Sequence, residues 1–201
     1  SSLNAALHAV RVYHLCGDLE AEREMASKTI ELAHHNRYAY YAALGKCHVG
    51  WVTGMAGDID DGIAILTEGL SELRQTGTSL PLPGLYVLLS QLYVRAGQLD
   101  EAKRTLAMAT GEKESPVWAA DIERVRGDIL AADWAAAEAA YRSSLAIARR
   151  QRAGLFMCKA GLSLAHLLQS RGRRREGYEL LSECLVKEGV AHEVLNARQH
   201  E

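Results

Sequence analysis

Proline occurs only three times in 201 residues, at Pro81, Pro83 and Pro116. Long stretches without the strongest helix breaker leave helices free to run. No run of about 18 uncharged apolar residues occurs, so no transmembrane helix is expected. The opening residues, SSLNAALHAVRVYHL, lack the basic segment and cleavage site of a secretory signal. They also lack an initiator methionine, so the chain is expected to be processed or cut from something longer. Neither sign of charge dominates: 23 Lys and Arg stand against 25 Asp and Glu. A general nucleic-acid binder usually carries a basic face, so neither nucleic acid nor membrane is an expected partner. The four cysteines, Cys16, Cys47, Cys158 and Cys184, form no CxxC pair. They read as small buried residues in a reducing compartment, which gives a cytoplasmic location.

What the sequence has in plenty is Ala and Leu, 59 residues together. Both are strong helix formers, and the chain reads as all-α. Five segments share one turn: CGDLEAERE from 16, AGDIDDGIA from 56, AGQLDEAKR from 96, AADWAAAEA from 131 and RGRRREGYE from 171. The turn residues Gly17, Gly57, Gly97, Ala132 and Gly172 are spaced 40, 40, 35 and 40 apart. A period of that size marks stacked helix pairs, none of which can bury its apolar face alone. Glycine ends a helix in the left-handed conformation, and a following Asp caps the next one. Five residues past the turn stand Glu22, Gly62, Ala102, Ala137 and Gly177, small in four cases of five, as close helix packing demands. Nine past it come Ala26, Leu66, Leu106, Tyr141 and Leu181, expected to face the paired helix. Periodicity places helices near 2–16, 18–35, 38–55, 58–76, 84–96, 98–109, 115–131, 133–152, 154–171 and 173–188. Ser115 reads as the cap and Pro116 as the first residue of the seventh. Only five residues separate Gly127 from Ala132, where seven separate Gly50 from Gly57, so the fourth pair should be shortened or its turn tightened.

The pattern resembles the tetratricopeptide repeat (TPR). The matching positions are the small residues Gly50, Ser90, Gly127 and Ala165 of the first helices, Tyr93 three residues after Ser90, the turn glycines, and Ala102 opening a second helix. The period departs from the family's, about 34 residues. The resemblance implies a right-handed α–α superhelix, a solenoid of about five TPR-like helix pairs. It would be a single domain over 1–201, with repeats near 1–36, 37–77, 78–112, 113–152 and 153–190 and a tail at 191–201. Residues 50–103 are more closely similar to the C-terminal helical repeats of bacterial signalling regulators that carry an ATPase module and often an adenylate cyclase domain. Gly50-Trp51, Gly62-Ile63, Gly69-Leu70, Leu73-Arg74, Thr76-Gly77, Pro83, Leu88-Leu89, Tyr93 and Ala96-Gly97 carry that likeness. Neither a Walker-type GxxxxGK[ST] nor a cyclase motif is present in the 201 residues.

Motifs for chemistry are missing as well. His192-Glu193 starts the zinc-protease pattern HExxH, but Asn196 stands where the second histidine belongs. His34 and His35 diverge by about 100° on a helix. No metal or other cofactor is expected. Asp58, Asp60 and Asp61 fall at a helix start, where negative charge favours the dipole. Glu20, Glu22 and Glu24 read as a solvated face. No GxSxG supports a nucleophile, and no catalytic residue is assigned. Arg171, Arg173, Arg174 and Arg175 sit at a helix end and turn, where cations are favoured and solvated.

In tetratricopeptide arrays the first helix of each pair lines a concave groove. Counting back from each turn, that face holds Asn4, His8, Arg11 and His14, then His48 and Trp51, then Gln91 and Arg95. Arg124 and Asp128 follow, and then Lys159, His166 and Gln169. Core residues would be aliphatic, so these are expected to be accessible and able to clamp a peptide backbone or carboxylate. Trp51 is either an anchor for an apolar side chain or a core residue. Of Tyr38, Tyr40 and Tyr41, at least one should be exposed. The expected function is a non-enzymatic interaction or scaffold module for a protein or peptide. It can also self-associate through open array ends. A small-ligand sensor whose groove closes over a metabolite is the alternative.

Overall fold

The structure is a computed structural model, and its described residues are 2–111 and 116–187. Those residues form helices and turns with no strand among them. In chain order the helices are α1 (Ser2–Cys16), α2 (Leu19–Asn36), α3 (Ala39–Ala56), α4 (Ile59–Gln75), α5 (Leu82–Arg95), α6 (Leu99–Gly111), α7 (Ala119–Ile129), α8 (Trp134–Gln151), α9 (Gly154–Ser170) and α10 (Arg174–Lys187), with a short 3₁₀ turn at Pro116–Trp118 before α7. The chain divides into two compact units, Ser1–Glu114 and Ser115–Glu201.

The shared turn follows the sequence pattern, except that Asp58 makes no side-chain cap bond to α4. Gly17, Gly57, Gly97 and Gly172 all adopt positive φ, where a Cβ would be strained. Asp18 caps α2 by accepting from the Ala21 N–H, and Asp133 caps α8 by accepting from Ala135 and Ala136. The fourth pair uses no glycine: α7 is only 11 residues long, and residues 130–133 make a turn closed by Asp133 N–H donating to Leu130 C=O. Between successive repeats the chain reverses at Arg37 and Arg152, whose left-handed φ values of 57° and 53° end α2 and α8.

In the first unit each helix packs on the next from α1 to α6, and in the second α7 packs on α8, α8 on α9 and α9 on α10. First helices also meet, α1 with α3, α3 with α5 and, in the second unit, α7 with α9. The residues nine past the turn, Ala26, Leu66, Leu106 and Tyr141, are buried, and Leu181 is half-buried. The residues five past it are buried in all five repeats. Here the helices of a pair touch backbone to backbone. A Cβ at Gly62 would overlap the backbone N and Cα of Gly54, and one at Gly50 would overlap the backbone of Leu66. In the third pair the same contact is made by Ser90, whose hydroxyl donates to the Ala102 carbonyl at 2.8 Å.

The helix map differs from the sequence reading in two places. α5 starts at Leu82, two residues early, because Pro81 and Pro83 at a helix start cost no hydrogen bond. The segment after Pro116 is a 3₁₀ turn before it becomes α-helix, and Ser115 and residues 188–201, with the expected tail, lie outside the described residues.

Gly62→Ala should therefore lower stability by about 2 kcal/mol, the cost of overpacking a close contact. Gly111, with open space where its Cβ would be, should tolerate Ala within about 0.5 kcal/mol. Urea denaturation of both variants checks the contrast, and equal effects would count against the backbone contact.

Candidate functional site

Three side chains from three helices meet inside the first unit. His14 lies two residues before the end of α1, Glu22 is in the first turn of α2, and His48 sits midway along α3. His14 Nδ1 is 3.1 and 3.2 Å from the two Glu22 carboxylate oxygens. His48 Nδ1 is 2.6 Å from Glu22 Oε1. Glu22 is completely buried and His48 nearly so. One ligand atom from each of the three side chains, an imidazole nitrogen or a carboxylate oxygen, lies within 4.8 Å of the other two. Burial pushes the Glu22 carboxyl up, but hydrogen bonds and charge from His14 and His48 outweigh it and hold it below the ordinary carboxylate value. Burial takes His48 below the ordinary imidazole value against the pull of Glu22. The rings of His48 and Trp51 each meet that of His14 edge-on, with centroids 5.6 Å apart.

His14, His48 and Trp51 are thus brought together, as members of one face, but largely in the interior. Trp51 is a core residue, 7% exposed. Glu22 was not among the groove residues. The sequence reading puts it on a solvated face, and the structure buries it because α2 turns this position toward α1 and α3. The available signal was its place among Gly62, Ala102, Ala137 and Gly177.

Arg124 and Asp128 meet in the second unit, again inside it. Arg124 is 9% exposed; its Nε donates to Asp121 Oδ1 at 2.6 Å and its Nη1 to Asp128 Oδ2 at 2.8 Å. The Tyr141 hydroxyl donates to the other Asp128 oxygen at 2.7 Å. Burial works against the Arg124 charge, but the two carboxylates prevail and hold its proton more firmly than usual. Burial, then Asp128, raises the Tyr141 phenol. Accessibility, expected along the row, therefore fails at His48 and Arg124, whose polar atoms are spent on neighbours, while Trp51 takes the core alternative.

Accessibility holds elsewhere. Asn4, His8 and Arg11 are exposed at i, i+4 and i+7 of α1, and Asn4 Oδ1 accepts from the Tyr41 hydroxyl at 2.6 Å. Arg95, His166 and Gln169 are exposed, while Gln91 and Lys159 are half-buried. Of the tyrosine group, Tyr38 is exposed. An open cleft of about 720 Å³ lies at the ends of α2 and α4, lined among others by His34, Arg37, Tyr38, Tyr40, Glu72 and Gln75. Three of the four arginines of the RGRRRE run are engaged within the second unit: Arg173 with Glu138 and Glu176, Arg175 with Glu179, and Arg171 over the Trp134 ring.

No protein-family model and no curated protein sequence matches the chain. Solved structures do. Bacillus thuringiensis PlcR, in complex with the peptide PapR7 and DNA, is similar with a TM-score of 0.75 at 9% identity, over 98% of this chain and 73% of that one. The nearly identical TPR-like repeats of a Podosopora anserina protein described as a kinesin light chain are similar with a TM-score of 0.55 at 14% identity, over 97% of both chains. A second structure of those repeats gives 0.54 at 15% identity, over 92% of this chain and 94% of that one. At such identities the likeness shows the fold, an all-α TPR-like helical repeat.

Asp121→Ala should cost about 3 kcal/mol, because it strips a carboxylate from a buried guanidinium. Tyr141→Phe, which removes one hydrogen bond, should cost about 1 kcal/mol. Chemical denaturation measures both, and a larger loss for Tyr141→Phe would sink this ordering. Cys47 is buried and its thiol is pushed up to about 12, first by burial and then by Glu72, whereas Cys16 is exposed. Maleimide labelling of the native chain at neutral pH should modify Cys16 within minutes and Cys47 only on unfolding; mass spectrometry of the peptides reads the order.

Proposed function

We propose that the chain is a non-catalytic interaction module that takes a protein or peptide against the exposed polar faces of its first helices. The observation that carries this is the row Asn4, His8 and Arg11 on α1, exposed on a helix that packs against α2 and α3 with its other side. Arg95 adds an exposed cation on α5, another first helix. Such side chains offer donors to peptide carbonyls and carboxylates. The similarity to a peptide-bound PlcR supports the reading. The finer proposal is that residues 1–201 form one repeat domain of a larger cytoplasmic bacterial signalling or transcriptional regulator, which the likeness of residues 50–103 supports. Self-association through the array ends belongs to the same proposal. Nucleic acid is not the proposed partner, because the charge is balanced and, in the densest arginine run, Arg173 and Arg175 are paired with Glu138, Glu176 and Glu179.

A small-ligand sensor is the second reading. The cleft beside His34, Arg37, Tyr38 and Tyr40 favours it, since aromatic walls and a few polar groups suit a small molecule.

A fluorescent peptide library, with DNA and a metabolite panel beside it, separates these readings. A selected peptide should bind the chain, and His8→Ala combined with Arg11→Ala should weaken it at least about tenfold, the loss of one to two charge-assisted hydrogen bonds. Arg95→Ala should weaken it less. Thermal stabilisation by a metabolite without any peptide binding would move the reading to the sensor, and peptide affinity indifferent to all three substitutions would remove the proposed face.

A further inference from the structure

We propose that His14, Glu22 and His48 bind one divalent metal ion of the zinc class, with one coordination position left open. This goes beyond the interaction reading and does not depend on it. Two imidazole nitrogens and one carboxylate oxygen form a donor set suited to zinc, and three protein ligands leave the fourth position for water or another ligand. Calcium and magnesium prefer oxygen-only shells and do not match two nitrogens.

The geometry is close to what such an ion requires. Bonds of about 2.0–2.1 Å place tetrahedral donors about 3.3 Å apart. Here His14 Nδ1 already stands 3.1 and 3.2 Å from the Glu22 oxygens and His48 Nδ1 stands 2.6 Å from one of them. All three donor atoms lie within 4.8 Å of one another. Rotations of the two imidazoles that open the His48–Glu22 contact and turn the nitrogens toward a common centre complete the shell. Coordination uses the tautomer with hydrogen on Nε2, so that each Nδ1 lone pair faces the ion.

The surroundings ask for a cation. Glu22 is a completely buried carboxylate whose hydrogen-bond partners are two imidazoles, and it stands where the other repeats carry Gly62, Ala102, Ala137 and Gly177. A buried carboxylate is costly unless its charge is balanced. The ligands come from α1, α2 and α3, so one ion would tie three helices together, and the edge-on contact of Trp51 holds the His14 ring in place. His14 is the partly exposed member, its side chain 12% accessible, and the open position lies on its side.

The test uses the full chain, stripped with chelator and then titrated with Zn²⁺ against a chromophoric competitor, with Co²⁺ absorption reporting coordination geometry. One equivalent of Zn²⁺ should bind and raise Tm, and Co²⁺ should give the intense visible bands of a tetrahedral site. Glu22→Ala installs the residue found at Ala102 and Ala137, so it should fold. It should weaken Zn²⁺ binding beyond the roughly 10–100-fold typical of losing a supporting group. It should also abolish the Zn²⁺-dependent rise in Tm. His14→Gln, at a partly exposed position, should do the same and serves if Glu22→Ala fails to fold. His35→Ala should leave binding intact. Stoichiometric binding that survives Glu22→Ala or His14→Gln, that is lost with His35→Ala, or that never occurs in the unaltered chain overturns the proposal.

Discussion

Two helices of a pair can approach backbone to backbone only where neither carries a side chain in the way, and the rest of this fold follows from that constraint. At Gly50, Gly54 and Gly62 the approach is so close that a single added carbon would overlap main-chain atoms or the Leu92 side chain. Gly127 fits against the Tyr141 ring, Gly161 against Cys184 and Gly177 against Ala165. With the pair axes held this near, leucines one turn further along reach across to fill the interior. Within each unit a pair still leaves an apolar face uncovered, and the neighbouring pair covers it. The repeat period is thus a record of contact geometry: in four of the five repeats a small residue stands five past the turn and a large one four positions later.

Glu22 breaks that rule, and breaking it creates a polar interior. A carboxylate in place of a hydrogen or methyl cannot be left to apolar neighbours. His14 and His48 surround it, and they come from the helices on either side. The second unit buries charge differently. Arg124, Asp121, Asp128 and Tyr141 contain their own cation, so the guanidinium offsets carboxylate charge within one hydrogen-bonded network. The first cluster has a carboxylate and imidazoles but no guanidinium or ammonium among its hydrogen-bond partners.

The fold was legible because its determinants are local and periodic. Turn glycines, capping aspartates and small residues at fixed spacing carry their meaning in sequence distance alone, and the positions at Ala26, Leu66, Leu106 and Tyr141 are buried as that spacing implies. Even the irregular fourth pair showed itself in the short interval between Gly127 and Ala132. The candidate site was only half legible. Counting back from the turns selects residues on one face of a first helix, but it does not say how close the neighbouring first helix comes. Where α1 meets α3, His14 and His48 fall into the seam; three residues earlier on α1, Arg11 stays in solvent. Arg124 shows the same limit, since two carboxylates on its own helix draw its guanidinium inward. Glu22 was visible only as an exception to the pattern, and an exception indicates burial once the pattern is known to mark contact.

Charge placement follows the same division between seam and surface. Charged side chains near a seam find partners within the fold, as Lys46 does with Glu68 and Glu72 and Arg173 does with Glu138 and Glu176. Such pairs fix neighbouring helices relative to one another, and their charge is largely neutralised locally. Side chains further from the seams stay in solvent. On α1 these are His8 and Arg11, the residues to which the proposed interaction assigns a partner. Buried and exposed polar residues of the first helices are therefore of the same types, and distance from the seam, more than residue identity, decides whether such a side chain is spent on cohesion or left in solvent.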